Sequence, residues 1–182
     1  MFDWVREPSV AQKLHLDPQR IAVVGHSMGG YVAATVCASR SPVLGCGLIA
    51  PWDLSYDVRL VKDKTPAERD GIAREVFVDV DGRVAGLTAR QVVDVLAEQG
   101  QRWQLARSAP AIAKHPLLIV LASRDAEDDK ALDLLPALKA EHATALRVET
   151  IDSDHSFNDR RIALQTVVLG WLATLNGAPP AK

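Results

Sequence analysis

Apolar residues along the chain gather into four short blocks separated by stretches with helical spacing. The first is Ile21-Ala22-Val23-Val24, the second spans residues 43–50, and the third is Pro116-Leu117-Leu118-Ile119-Val120-Leu121-Ala122. The third is continuous, as a parallel strand covered on both faces would be. The fourth, residues 145–151, alternates apolar with polar side chains. Between the first two lies Tyr31-Val32-Ala33-Ala34-Thr35-Val36-Cys37-Ala38, which reads as a buried helix of small and apolar residues. Residues 2–14 and the region near 130–140 read as further helices. Strands alternating with helices predict an α/β fold, a mostly parallel sheet with flanking helices.

The pattern changes between residues 53 and 114. Thr65-Pro66-Ala67-Glu68 and Thr88-Ala89-Arg90-Gln91 have the form of capping boxes, the first with proline at the opening helical position. Ile72, Val76 and Phe77 form one expected buried stripe, and Val92, Val93, Leu96 and Ala97 a second, which Gly100 would end. Asp81-Gly82 suggests a short hairpin over residues 78–84. Asp79 and Asp81 lack the further oxygen ligands of a calcium loop. The expected division is a core of residues 1–52 and 111–176, a helical insertion at 53–110, and a disordered tail at 177–182.

The chemistry begins where the first strand ends. Gly25-His26-Ser27-Met28-Gly29-Gly30 contains G-x-S-x-G between a strand and a helix, the pattern of a nucleophile elbow. A sharp turn there holds a serine hydroxyl clear of its neighbours, and side chains at positions 25 and 29 are expected to crowd it. The following helix would point its positive end at Ser27, with the Met28 N–H facing the oxygen of an attacked carbonyl.

A serine nucleophile needs a base and an orienting acid, here in the order Ser, Asp, His. The third strand empties into Ser123-Arg124-Asp125, and the fourth into Asp152-Ser153-Asp154-His155-Ser156-Phe157. Both loops leave the sheet at the edge that carries Ser27. Asp125 is the first candidate acid, although it also opens an acidic helix start. Asp128 and Asp53 remain alternatives. Of the five histidines, His155 is best placed: His15 precedes the elbow, His115 begins a strand, His142 lies in a surface helix, and His26 is held beside the nucleophile.

Residues 17–30 (Asp-Pro-Gln-Arg-Ile-Ala-Val-Val-Gly-His-Ser-Met-Gly-Gly), Ala122-Ser123-Arg124-Asp125 and Asp154-His155-Ser156-Phe157 together resemble the α/β-hydrolase superfamily. The flavour is that of its dienelactone hydrolase and prolyl oligopeptidase-like branch. The resemblance covers nearly the whole chain, more loosely in the middle. It implies Ser27 as nucleophile, Asp125 as acid, His155 as base and Met28 N–H as one oxyanion donor. It also implies that the insertion is a cap, with Trp52, Tyr56 and Trp103 as candidates to line a substrate pocket or to pack between cap and core. In that family the elbow strand is preceded by further strands and by a loop carrying the second oxyanion donor. Only residues 1–19 precede it here, so the expectation is a carboxyl-terminal portion of the fold with residues 21–24 at an open sheet edge. A second copy, a separate chain or the amino-terminal helix would cover that edge, and activity alone would be weak.

Composition narrows the partners. The chain has 182 residues, is 48% hydrophobic and carries a formal net charge of −2. That is no footprint for nucleic acid. No apolar run reaches the length of a membrane span, and the opening residues lack the pattern of a signal peptide. A cytoplasmic protein is expected. No cofactor or metal motif is present, and Cys37 and Cys46 are expected to be buried small hydrophobes and not a disulfide. The expected function is a serine hydrolase of small-molecule carboxylic esters, or of amides or peptides in the manner of S9 peptidases. The contrasting expectation is an impaired fragment or interaction module that needs a partner.

Overall fold

The computed structural model describes residues 2–40, 42–83, 85–125 and 133–176. The expected tail at 177–182 and the candidate acid Asp128 lie outside the described residues. The chain divides into two compact units, one of residues 1–52 with 108–182 and one of residues 53–107.

The first unit is built on a four-stranded sheet: β1 (Ala22–His26), β2 (Gly45–Ile49), β3 (Leu117–Ala122) and β4 (Leu146–Ile151). The strands lie in sequence order and every pairing is parallel. Each parallel step needs a crossover, and helices supply them. The helices of this unit are α1 (Pro8–Leu14), α2 (Met28–Ser39), α6 (Ala109–Ile112), α7 (Leu134–Ala140) and α8 (Arg161–Thr174).

Burial follows position in the sheet. The central strands β2 and β3 are buried at every residue, as apolar strands covered on both faces should be. β1 and β4, at the two ends of the sheet, mix half-buried with exposed positions, except that Ile151 at the end of β4 is buried. Trp171 of α8 enters a core with Ile49, Leu118, Val120, Ile151 and Phe157. On α2 the small residues Gly30, Ala33, Ala34 and Cys37 are buried, an i, i+3, i+4, i+7 stripe that lets the helix lie close to the sheet.

That stripe corrects one expectation. Cys37 and Cys46 are joined in a disulfide, with Cα atoms 6.3 Å apart. Cys37 ends the inward stripe of α2 and Cys46 is a buried residue of β2, so the β1–α2–β2 crossover brings together two cysteines only nine positions apart.

The second unit, residues 53–107, is helical: α3 (Val58–Val61), α4 (Pro66–Glu75) and α5 (Ala89–Gln99), with 3-10 turns at Val78–Val80, Gly100–Trp103 and Leu105–Ser108, the last running one residue past it. Both capping boxes form. The Thr65 and Thr88 hydroxyls accept from the N–H groups of Glu68 and Gln91, whose side chains accept from the cap N–H in return. Val93 and Leu96 are buried, and Phe77 is also, but Val76 is 53% exposed because α4 ends at Glu75 and the chain turns off its apolar face. The expected hairpin is instead a 3-10 turn followed by a turn at Asp81, whose carboxylate accepts the Ala89 N–H and ties the segment to the start of α5. Residues 109–112, α6, pack on α2 and α7 and so belong with the sheet.

Candidate active site

Ser27 stands between the last residue of β1 and the first of α2, at φ 56° and ψ −124°. A non-glycine residue with positive φ stores strain, and the surroundings must hold it. They do so from three sides. The Ser27 N–H donates to Ile49 O at 2.9 Å, and its carbonyl accepts from the Gly30 N–H at 2.8 Å and the Trp52 N–H at 3.0 Å. The first N–H groups of α2, Met28 among them, have no acceptor within their own helix, which makes this end receptive to negative charge.

The motif glycines are not equivalent. A Cβ on Gly25 would lie 1.9 Å from the Gly29 carbonyl oxygen, so only glycine fits. A Cβ on Gly30 would lie 2.8 Å from Pro51 Cα. One on Gly29 would meet nothing within 4 Å, which corrects the expectation that crowding requires a glycine there.

The candidate acid and the candidate base meet. His155 Nδ1 lies 2.5 Å from Asp125 Oδ2, and the Asp125 side chain is only 5% exposed against 31% for His155. A carboxylate can only accept, so Nδ1 carries the proton and Nε2 keeps its lone pair free for use as a base. Asp125 is set by a tight turn after β3, its N–H donating to Ala122 O. His155 rides on a turn in which the Phe157 N–H donates to Asp154 O and the Asn158 N–H to Asp154 Oδ1. Phe157, at φ 53°, drops into the core beneath. The Asp-His-x-Phe string thus has a local logic: the aspartate closes the turn and the phenylalanine anchors it.

The structure does not join Ser27 Oγ to His155 by a hydrogen bond among the described residues; the side chain that reaches the His155 loop is that of His26. Its Nε2 lies 2.7 Å from His155 O, and the two imidazole rings are 4.8 Å apart. The alternative acid Asp53 is engaged elsewhere. Buried in the helical unit, it accepts from the Ser55 N–H and hydroxyl and from the Leu105 N–H. Trp52 stands three residues past the end of β2 and is bound to the elbow through its backbone. Tyr56, stacked under the Arg59 guanidinium, and Trp103, at the end of a 3-10 turn, are half-buried within the helical unit.

Sequence reasoning missed a brace beneath the two loops. Asp159 accepts from the Ser153 hydroxyl at 2.6 Å and from the Arg124 guanidinium, while the Arg124 N–H donates to Ser153 O at 3.0 Å. The Ser153 hydroxyl first, and the Arg124 guanidinium second, hold the Asp159 carboxyl down to about 2. Arg124 and Ser153 lie within two residues of Asp125 and His155 in sequence, so this cluster fixes the Asp125 loop to the His155 loop. Among the described residues no cluster of three or more metal-ligating side chains occurs, and no helix is long and apolar enough to cross a membrane.

The comparisons agree with this architecture. The model of the Alpha/beta hydrolase family matches residues 2–164. Among solved structures, AbyA5 is similar with a TM-score of 0.65 at 18% identity, over 91% of this chain and 45% of that one. Puromycin hydrolase follows at 0.61 and 16%, over 96% and 24%. Carboxyl esterase 2 from the mycorrhizal fungus Tuber melanosporum gives 0.60 and 17%, over 98% and 59%. The chain therefore spans between a quarter and three-fifths of these proteins, and identities this low speak for fold alone. No curated protein matches the chain. A parallel sheet, a strained serine between strand and helix, and a family match over most of its length lead to one conclusion: the chain belongs to the α/β-hydrolase family.

Proposed function

We propose that the chain is a serine hydrolase that cleaves small carboxylic esters through an acyl-enzyme. The observation that carries this reading is the short Asp125–His155 pair at the same sheet edge as a serine in a strained elbow. His155 Nε2 takes the Ser27 proton as Oγ attacks the substrate carbonyl carbon, and Asp125 stabilises the imidazolium that results. The tetrahedral oxyanion is met by the Met28 N–H and the positive end of α2. Collapse expels the alkoxide, which receives the proton from His155. Water, deprotonated by the same nitrogen, then attacks the acyl-enzyme and frees the acid and Ser27. Trp52, whose backbone N–H donates to the Ser27 carbonyl, is proposed to line the acyl or leaving-group pocket beside the elbow.

Hydrolysis of short p-nitrophenyl esters and labelling by a fluorophosphonate test the proposal. Both are expected in the wild type and neither in Ser27→Ala. Labelling that survives this substitution would move the nucleophile elsewhere. One observation favours a second reading, a module that keeps the site but turns over little by itself: β1 has a paired neighbour on one side only among the described residues. Labelling without turnover, restored when a strand-bearing partner is added, is the outcome that reading requires.

A further inference from the structure

We propose that His26, the variable residue of the elbow motif, is a positioning residue for the base: its Nε2–H clamps the backbone of His155 and so holds the imidazole over the elbow. The inference rests on the serine-hydrolase reading. His155 follows β4, and β1 lies at the opposite end of the sheet, three strand spacings or about 14 Å away. For the base to serve Ser27, its loop must fold back across the carboxyl edge and be fastened at the far side.

The fastening is unequal along that loop. On the side of β3, Ser123 and Arg124 donate their N–H groups to Ile151 O and Ser153 O, Asp159 bridges Ser153 and Arg124, and Asp125 grips the imidazole. Towards β1, among the described residues, His26 supplies the hydrogen bond, at 2.7 Å and across 129 positions of sequence. A carbonyl oxygen only accepts, so the His26 proton resides on Nε2. The ring also packs at 4.8 Å from that of His155 and edge-on at 6.2 Å from Phe157, the anchor of the same turn.

His26 is itself placed rigidly. It is the last residue of β1, in register with Ile49, and the next residue is the strained Ser27. Nucleophile and clamp are thus adjacent on one backbone, and a movement of the elbow carries both. The clamp lets Ser27 and His155 keep their separation while the loop after β4 breathes. Removing the donor frees the turn that carries His155, so the Asp125–His155 pair opens more often and drifts from the serine, a fault expected in the chemical step and not in substrate binding.

The test uses the full chain with His26→Leu, which fills similar volume without a donor, and His26→Gln, whose amide carries an N–H at about the reach of Nε2. His26→Leu is expected to lose about ten- to a hundredfold in kcat with KM within about twofold, and His26→Gln to stay within about threefold of wild type. A readout independent of turnover is the far-downfield proton resonance of the His155 Nδ1–H bonded to Asp125, expected in wild type and His26→Gln and broadened by exchange in His26→Leu. Thermal melting checks that each variant is folded. A folded His26→Leu with wild-type kcat and an unchanged resonance overturns the proposal, as does a glutamine variant no better than leucine, or a wild type with neither turnover nor the resonance. If Ser27→Ala retains activity, the hydrolase reading fails, and the resonance alone still decides whether His26 holds His155.

Discussion

Alanine at position 25 should injure this fold far more than alanine at position 29, although the motif treats the two glycines alike. A Cβ on Gly25 would sit 1.9 Å from Gly29 O, 2.3 Å from Gly29 C and 2.8 Å from Gly30 N. All three are backbone atoms in the first turn of α2, so no side chain can swing away to make room. The strand and helix must part by about 1 Å, and such overpacking costs about 2–3 kcal/mol. For a chain of this size that lowers the melting temperature by about 4–12 °C. The same displacement moves Ser27 relative to His155 and should cost about a hundredfold in kcat. Alanine at 29 meets open space within a helix and exchanges a poor helix former for the best, so its melting temperature should hold or rise by about 2–4 °C. Gly30→Ala, 2.8 Å from Pro51, should fall between. Melting by circular dichroism, with ester turnover on the same samples, reads all three. Equal losses for Gly25→Ala and Gly29→Ala would refute the reasoning.

The other predictions concern the site and the sheet. Asp125→Asn should lower kcat by about 10³–10⁴-fold with little change in melting, because an amide cannot hold the His155 tautomer; a loss under about tenfold would disqualify Asp125 as the acid. Asp159 has an ordinary carboxyl value of 3.8 and a folded value of about 2, so its stabilising contribution is complete above the ordinary value and lost as pH falls through about 2. The melting difference between wild type and Asp159→Asn should therefore be constant near neutrality, shrink below about pH 4 and vanish near pH 2; a difference that persists at pH 2 would contradict the brace. In β1 the odd residues bond to β2, as the Ser27 N–H shows, so Ala22, Val24 and His26 aim their N–H and C=O groups at the edge that has no partner strand among the described residues. Light scattering at tens of micromolar should then report a mass above one chain, reduced by Val24→Pro, which removes an outward donor and no bond to β2. A wild type that stays monomeric would count against edge pairing.

Much of this was legible because it is encoded locally. The apolar runs at 43–50, 116–122 and 145–151 each contain a strand, the run at 21–24 opens one that continues through the motif to His26, and Asp125 and His155 are met by asking which loops leave the sheet at its carboxyl edge. What escaped depends on contacts remote in sequence. Asp159 lies just before α8 in a polar stretch without periodicity, and its partner Arg124 is 35 positions away. His26 was passed over as a neighbour of the nucleophile, since its partner is a backbone carbonyl that carries no side-chain signature. The disulfide was within reach: Gly30, Ala33, Ala34 and Cys37 mark the inner stripe of α2, and Cys46 lies in the strand beneath. Composition argued against it and helix phase argued for it, and phase was the better guide. Val76 was misplaced because the helical period was carried past the end of α4 at Glu75.

The helical unit leaves the sheet after β2 and returns before β3, so the whole of residues 53–107 hangs from a single crossover. Loop closure grows only as the logarithm of length, about 0.6 kcal/mol for each doubling. Exchanging these residues for a much shorter or longer insert would alter the closing entropy by about 2 kcal/mol at most, while the strand order, the elbow and the Asp125–His155 pair are all specified by residues outside it. Length and sequence between Asp53 and Arg107 can therefore be rewritten as a cassette, under almost no constraint from the strand order, the elbow or the Asp125–His155 pair.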